Sequence, residues 1–330
     1  MKIVVIGATG NLGTSTLRAL SREPAMPDVV AIARRKAEIV VPRTTFVQAD
    51  ITQDDLVPLL HGADAVIHLA WLLQPARERE RLHHVNIEGS RRVFEAAATA
   101  KVPALIYASS VGVYSPGPKH RFVDESWPID GIASSLYSQQ KVSVERYLDR
   151  FELQHPDMRV VRLRPALVFK RVAASEIRRL FIGPLVPRFL FAKSRLRLVP
   201  DVDRLRFQCV HSHDVGRAFA LAALNDVRGA FNIATDPVLD PELLADILHA
   251  RRVRMSEGAL RQAVATAYKL HLTPTDPGWV DLGLESPLMD TERARTVLHW
   301  SPRRDAPEAL LDLLEGLRTG SGLATAPLHS

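Results

Sequence analysis

The chain carries one cysteine, Cys209, in 330 residues. That excludes an intramolecular disulfide and a cysteine-built metal cluster, and the flanking Phe207 and Val210 read as core around a packed thiol. Equally absent is any apolar run of membrane-spanning length, which argues against integral membrane association. Met1 and Lys2 lead straight into the first apolar run with no signal peptide before it, so a cytoplasmic location is expected. There are no internal repeats and no low-complexity tracts. The net charge is +6, but the 43 Lys and Arg are interspersed with 37 Asp and Glu, without a basic tail or aromatic interleaving. A nucleic-acid partner is therefore not expected. What is present, 46% hydrophobic and 24% charged residues, is a globular composition, and the length allows a large core with a smaller lobe.

The most informative stretch is KIVVIGATGNLGTSTLRAL, residues 2–20. The β-branched run Ile3 to Ile6 suits a strand buried on both faces of a parallel sheet. Gly7, Gly10 and Gly13 follow, and Leu17 and Leu20 then take up helical spacing. Strand, glycine turn and helix start make a phosphate site. The first glycine permits the turn, the second lets backbone approach a pyrophosphate, and the third lets helix and strand pack closely. The alternative is an ordinary βα turn.

A second strand, Asp28 to Ala33, ends in Arg34-Arg35-Lys36 and not in the acid that would hold the ribose hydroxyls of NAD. Guanidinium groups there suit a 2′-phosphate, so NADP is favoured, with NAD possible; the alternative is a solvated basic loop. A third strand, Thr44 to Asp50, places Asp50 where it serves either an adenine amino group or, like Thr52, a cap for the helix that Asp54 and Asp55 begin. Strands over Ala65–Ala70 and Ala104–Ala108 flank an amphipathic helix from Glu88 to Ala100, and the last strand delivers Ser109 and Ser110 to the same sheet edge.

Tyr137 and Lys141 stand at i and i+4, neighbours on one helix face. A cation one turn away lowers a tyrosine pKa from its usual value of about 10, and Ser110 is placed to polarise a carbonyl oxygen. Together they suit proton transfer accompanying hydride transfer. Alone, the Tyr–Lys spacing is a common surface pair.

GATGNLG, Asp50-Ile51, VIHLA, VNIEGSRRVFEAA, YASSVGVY, YSQQK, LRPALV, VHSHDVGRAFALAAL, GAFNIAT and DTERARTVLHWSP occur in this order. On these motifs the chain resembles an extended short-chain dehydrogenase/reductase of the NAD-dependent epimerase/dehydratase type. The resemblance implies a cradle of Gly7, Thr9, Gly10, Asn11, Leu12 and Gly13 around the pyrophosphate. It implies Asp50 and Ile51 at adenine, and Leu69, Ala70 and Trp71 beside ribose and nicotinamide. It gives the catalytic roles to Ser110, Tyr137 and Lys141, with Pro165-Ala166-Leu167 passing the nicotinamide amide and Asn86 mainly structural. Three departures narrow the substrate. Val111-Gly112 replaces the Asp-Glu pair of the family's dehydratases. Leu167 stands where nucleotide-sugar members carry an asparagine near the diphosphate, and Phe207 where they carry an arginine, with Arg206 one residue off.

Leu180 to Phe191 is apolar and proline-broken, either a wall for a less polar carbonyl compound or lobe core and dimer contact. His211-Ser212-His213-Asp214 suggests a metal cluster, but Asp214 or His213 capping the following helix is the expected role, and no metal is expected. The expected architecture is α/β: a doubly wound Rossmann domain over 1–165, rejoined by about 207–235, with a smaller mixed lobe from 166–206 and 236–315 and a flexible tail from 316. The expected function is NADP-preferring hydride transfer at a carbinol or carbonyl carbon of a small, not strongly anionic molecule, in a possible homodimer. The alternatives are a nucleotide-sugar epimerase with tightly held NAD and a non-catalytic NADP-sensing regulator.

Overall fold

A computed structural model describes residues 1–24, 27–35, 39–73, 77–182 and 198–322. The strands in chain order are β1 (Lys2–Ile6), β2 (Asp28–Ala33), β3 (Thr44–Gln48), β4 (Ala65–His68), β5 (Ala104–Ala108), β6 (Phe122–Val123), β7 (Arg159–Pro165), β8 (Leu167–Phe169), β9 (Leu198–Asp201), β10 (Phe207–His211), β11 (Gly229–Ile233), β12 (Thr235–Leu239), β13 (Arg251–Arg254) and β14 (Leu288–Met289). Seven of them form one parallel sheet in the order β11-β7-β5-β4-β1-β2-β3. The order reverses between β1 and β4, the switch point at which doubly wound sheets bind ligands beyond their carboxyl ends.

The β-branched runs become central strands because both faces are covered. Ile3 and Val5 pack into one core with Leu17, Leu20 and Phe219, while Val4 and Ile6 pack into another with Phe94, Leu105 and Phe151. On the first face the helix Asn11–Leu20 lies against the helix Ser212–Leu224 so closely that a Cβ on Gly216 would stand 2.5 Å from the Ser15 carbonyl oxygen.

Smaller sheets gather the rest. β8, β10 and β12 form one, β9 and β13 a second, β6 and β14 a third. Phe207–His211 thus lies in the small sheet, and the chain returns to the large one through the helix Ser212–Leu224 and β11. The last helix, Ala306–Thr319, runs past residue 316, where a flexible tail was expected. Leu310, Leu313, Leu314 and Leu317 seal a core under the β8–β10–β12 sheet, which holds the helix in place to its end. Residues 323–330 lie outside the described residues, as do Lys36 and residues 183–191 of the apolar stretch. Among the described residues no helix is long and apolar enough to cross a membrane.

Candidate active site

The glycine turn closes on backbone. Gly7 has φ +84°, and its N–H and that of Ala8 donate to the Ile32 carbonyl at 2.9 and 3.2 Å, which ties the turn to the end of β2. A Cβ on Gly13 would meet the Gly7 carbonyl oxygen at 2.3 Å. A Cβ on Gly10 would meet only that same oxygen at 3.6 Å, so the middle of the turn is open. Gly10 is also the N-cap of the helix and supplies no side chain to its first N–H groups. The buried Asn11 Oδ1 has no donor among the described residues. Open backbone, an uncapped helix N-terminus and a spare acceptor fit a dinucleotide's diphosphate and sugar hydroxyls.

Beyond the turn lies a cavity of about 460 Å³. Gly7, Thr9, Gly10, Arg34, Arg35, Ile51, Leu69, Ala70 and Trp71 line it. Asp50, expected at adenine, turns its carboxylate to the local chain: Oδ1 accepts from the Thr52 N–H at 2.9 Å and the Thr52 hydroxyl at 2.7 Å. Leu12 packs against the core, and Leu167 opens β8 with 41% of its surface exposed. Pro165 ends β7, and Ala166 N–H donates to the Ile233 carbonyl at 2.9 Å.

Ser110, Tyr137 and Lys141 come together on the Trp71 side of this cavity, Ser110 and Lys141 buried and Tyr137 half-buried. Ser110 follows β5, its Oγ accepting from Gly112 N–H at 3.0 Å and lying close enough to the Tyr137 phenol to act on its pKa. Tyr137 sits in the first turn of the helix Leu136–Gln154, which Ser135 caps by accepting from Ser138 N–H. Lys141 follows one turn on and donates to the Ala108 carbonyl at 2.6 Å, with its Nζ 3.5 Å from the Trp71 ring centroid. Sequence logic expects the lysine to lower the tyrosine. In the structure burial outweighs it and pushes the Tyr137 phenol up to about 12, opposed by the Ser110 hydroxyl. Burial also drives the Lys141 ammonium well below its ordinary range, opposed by Glu145.

The Gly112 backbone explains one departure from the dehydratase pattern. A Cβ there would stand 3.2 Å from the Tyr137 ring and 3.3 Å from Leu282, so an acidic side chain would crowd the phenol. Asn86 lies in a π-helical turn, His84–Glu88, that leads into the helix Gly89–Thr99. It donates to the Leu72 carbonyl and Gln140 and accepts from Leu72 N–H, a structural role. His211 itself, not Asp214 or His213, caps the next helix: its Nδ1 accepts from His213 N–H at 3.1 Å. Its Nε2 faces Asp312 and Arg304.

Several site residues carry no sequence signature. Trp279 packs on Tyr137 with ring centroids 4.9 Å apart, and Phe181 meets Trp279 edge-on at 4.8 Å. Trp279 comes from a helix capped by Asp276 almost a hundred and fifty residues further along the chain, so only its rarity as a residue type flags it. Glu145 is wholly buried behind Lys141, where Ser109 donates to it and Arg164 grips both its oxygens at 2.9 and 2.6 Å. It lies four residues after Lys141 on the same face, which was the signal to follow.

A doubly wound sheet, a glycine turn at its switch point and a Ser–Tyr–Lys group beside it define the short-chain dehydrogenase/reductase class. Residues 3–234 match the model of the NAD dependent epimerase/dehydratase family, and the chain belongs to that family. An uncharacterized protein of Mycobacterium tuberculosis is 28% identical over 327 residues, covering 98% of this chain but 31% of that one, so the chain spans under a third of that relative's length. The sterol-4-alpha-carboxylate 3-dehydrogenase, decarboxylating, of Saccharomyces cerevisiae is 25% identical over 255 residues, 73% of this chain and 66% of that one. Among solved structures, MoeE5 in complex with UDP-glucose and NAD overlays with a TM-score of 0.70 at 23% identity, covering 97% of this chain and 99% of that one. At that identity the overlay speaks for the fold.

Proposed function

We propose that this enzyme transfers hydride between NADP and a carbinol or carbonyl carbon of a weakly polar small molecule. The observation that carries the reading is the wall around the Tyr137 phenol: Trp279 stacks on it, Phe181 closes on Trp279, Trp71 stands edge-on at 6.1 Å, and Leu282 lies beside Gly112. Such a wall lowers the local dielectric and favours an apolar substrate face. The yeast relative, named for a sterol substrate, suits the same wall.

The glycine turn and the uncapped helix N-terminus would hold the diphosphate and Asn11 Oδ1 a sugar hydroxyl, with Arg34 and Arg35 at the 2′-phosphate. Bound there, the nicotinamide would supply or take up the hydride. The chain's own residues manage the proton. Held protonated by burial, Tyr137 Oη donates to the carbonyl oxygen of a ketone, and the Ser110 hydroxyl donates to the same oxygen as negative charge develops on it. The Lys141 ammonium, one turn away and shielded from water by Trp71, stabilises the phenolate left behind. In oxidation the same groups work in reverse, which requires the Tyr137 phenolate.

A diphosphate carries about two negative charges, and burying it without donors costs several kcal/mol. Leu167 and Phe207 offer none, which weighs against the nucleotide-sugar reading. The test is calorimetric titration with UDP-glucose beside an NADPH-consumption screen of cyclic and aromatic ketones. Ketone turnover with negligible UDP-glucose binding is expected. Micromolar UDP-glucose binding that is lost in Arg206→Ala would replace this reading with that of a sugar epimerase.

A further inference from the structure

The far wall of the cofactor cavity is built from two elements that sequence patterns do not connect with it. One is the helical segment after β8, α-helical over Ala174–Ile177 and π-helical over Arg178–Ile182; the other is the end of the last helix. Glu176, Arg178 and Arg179 line the cavity from this side, and Arg34 and Arg35 from the other. The segment is pinned at both ends. A Cβ on Gly316 would lie 2.2 Å from the Arg171 carbonyl oxygen, Asp312 accepts from Arg171 N–H at 2.8 Å, and Ser175 N–H donates to the Ser321 carbonyl at 3.0 Å. At the other end Phe181 sits against Trp279, and its carbonyl accepts from the Thr273 hydroxyl at 3.0 Å.

Four arginines and one acid therefore line one cavity, and Glu176 is that acid among the described residues. Burial raises its carboxyl above the ordinary range, while Arg179 and then Arg35, on opposite walls, act to lower it. The field at Arg35 is correspondingly shared between Arg34, Glu176 and Arg179.

We infer that Glu176 is the resident counter-anion of this cavity and that Glu176 and Arg179 set cofactor choice from the lobe side. A 2′-phosphate brings nearly two negative charges into the arginines' field and displaces Glu176 as their counter-charge. An unphosphorylated ribose brings none and leaves Glu176 where it is. Glu176 thus competes with NADP and is neutral toward NAD, and Arg179 attracts NADP alone. The inference rests on the NADP reading above and adds to it two residues from beyond β8.

The test is calorimetry on the full chain with 2′,5′-ADP and 5′-AMP as probes, which need no substrate. Glu176→Gln should tighten 2′,5′-ADP by roughly three- to tenfold, the size of one like-charge contact at about 4 Å screened as in water. Arg179→Ala should weaken it by about tenfold or more, the value of a charge-assisted hydrogen bond. Both variants should leave 5′-AMP within about twofold of the parent. A parent that binds the two probes equally overturns the NADP reading and this inference together. A parent preference that survives both variants, or variants that move both probes alike, overturns this inference alone.

Discussion

The Lys141 ammonium nitrogen stands 3.5 Å from the centroid of the Trp71 ring, a closer approach than to Tyr107 at 4.9 Å or Tyr137 at 5.9 Å. The indole face replaces water that burial has stripped from the charge, and the Ala108 carbonyl and the Tyr107 hydroxyl accept from it at 2.6 and 3.4 Å. A desolvated cation–π contact is worth about 2 kcal/mol. Trp71→Ala should lower the unfolding free energy by about that amount in urea titrations, while Trp71→Phe, which keeps a ring face, should recover about half. Equal losses in the two variants would show that volume, not the ring's charge distribution, is what matters.

The pH dependence follows from the sign of the Tyr137 shift. Its pKa is raised to about 12, so the proton-donating form is complete well below that value and is lost only as pH rises through it. For the reductive reaction kcat/KM, which reports the free enzyme, should stay level from about pH 7 to pH 10 as far as Tyr137 is concerned. The oxidative reaction needs the phenolate and should climb with pH over the same range. A reductive profile that falls near neutral pH would mean that a different group delivers the proton.

Cofactor preference should depend on the end of β2. Fluorescence titration of the parent should favour NADPH over NADH. In the double variant Arg34→Ala/Arg35→Ala that preference should shrink by roughly one to two orders of magnitude, since charged hydrogen bonds are worth about 1.5–3 kcal/mol. Equal affinities in the parent would remove the basis for NADP.

The glycine turn separates folding from binding. Gly13→Ala forces a Cβ to 2.3 Å from one backbone oxygen and 2.5 Å from another, so the turn must open. It should cost about 1–3 kcal/mol of stability and abolish dinucleotide binding. Gly10→Ala meets nothing closer than 3.6 Å and should fold normally, yet weaken NADPH binding by about tenfold or more if a diphosphate lies against that backbone. Unchanged binding in Gly10→Ala would place the diphosphate elsewhere.

Local chemistry made the sheet domain and half of the site legible. Ile3–Ile6 can only be a strand covered on both faces, and three glycines in step with it leave few alternatives to a nucleotide turn. The Tyr137–Lys141 spacing is also local, since a helix fixes it. Long-range packing hid the rest. Trp279 reaches Tyr137 only because the helix Pro277–Glu285 packs beside Gly112, and Glu176 lines the cavity with Arg35 only because the last helix holds its segment in place. The Tyr137 shift went unread for the same reason: sequence shows a neighbouring cation but not the depth of burial, and burial dominates. His211 illustrates a smaller gap, where an imidazole took the cap position that composition assigned to Asp214 or His213. The expected tail starts later than 316, because Gly316 lies against the Arg171 carbonyl and Leu317 packs into the core, so the last helix continues to Thr319.

The measurement that bears most directly on the account is a single-turnover reduction of a cyclic ketone by the NADPH-loaded protein, compared between the parent and Tyr137→Phe. The variant removes one oxygen from a ring that Trp279 and Gly112 hold in place, so NADPH affinity and melting temperature should match the parent. The rate of NADPH consumption should fall by about 10²–10⁴-fold. Unchanged consumption in a variant that binds NADPH normally would contradict the assignment of Tyr137 as the proton donor, and with it the proposed reaction.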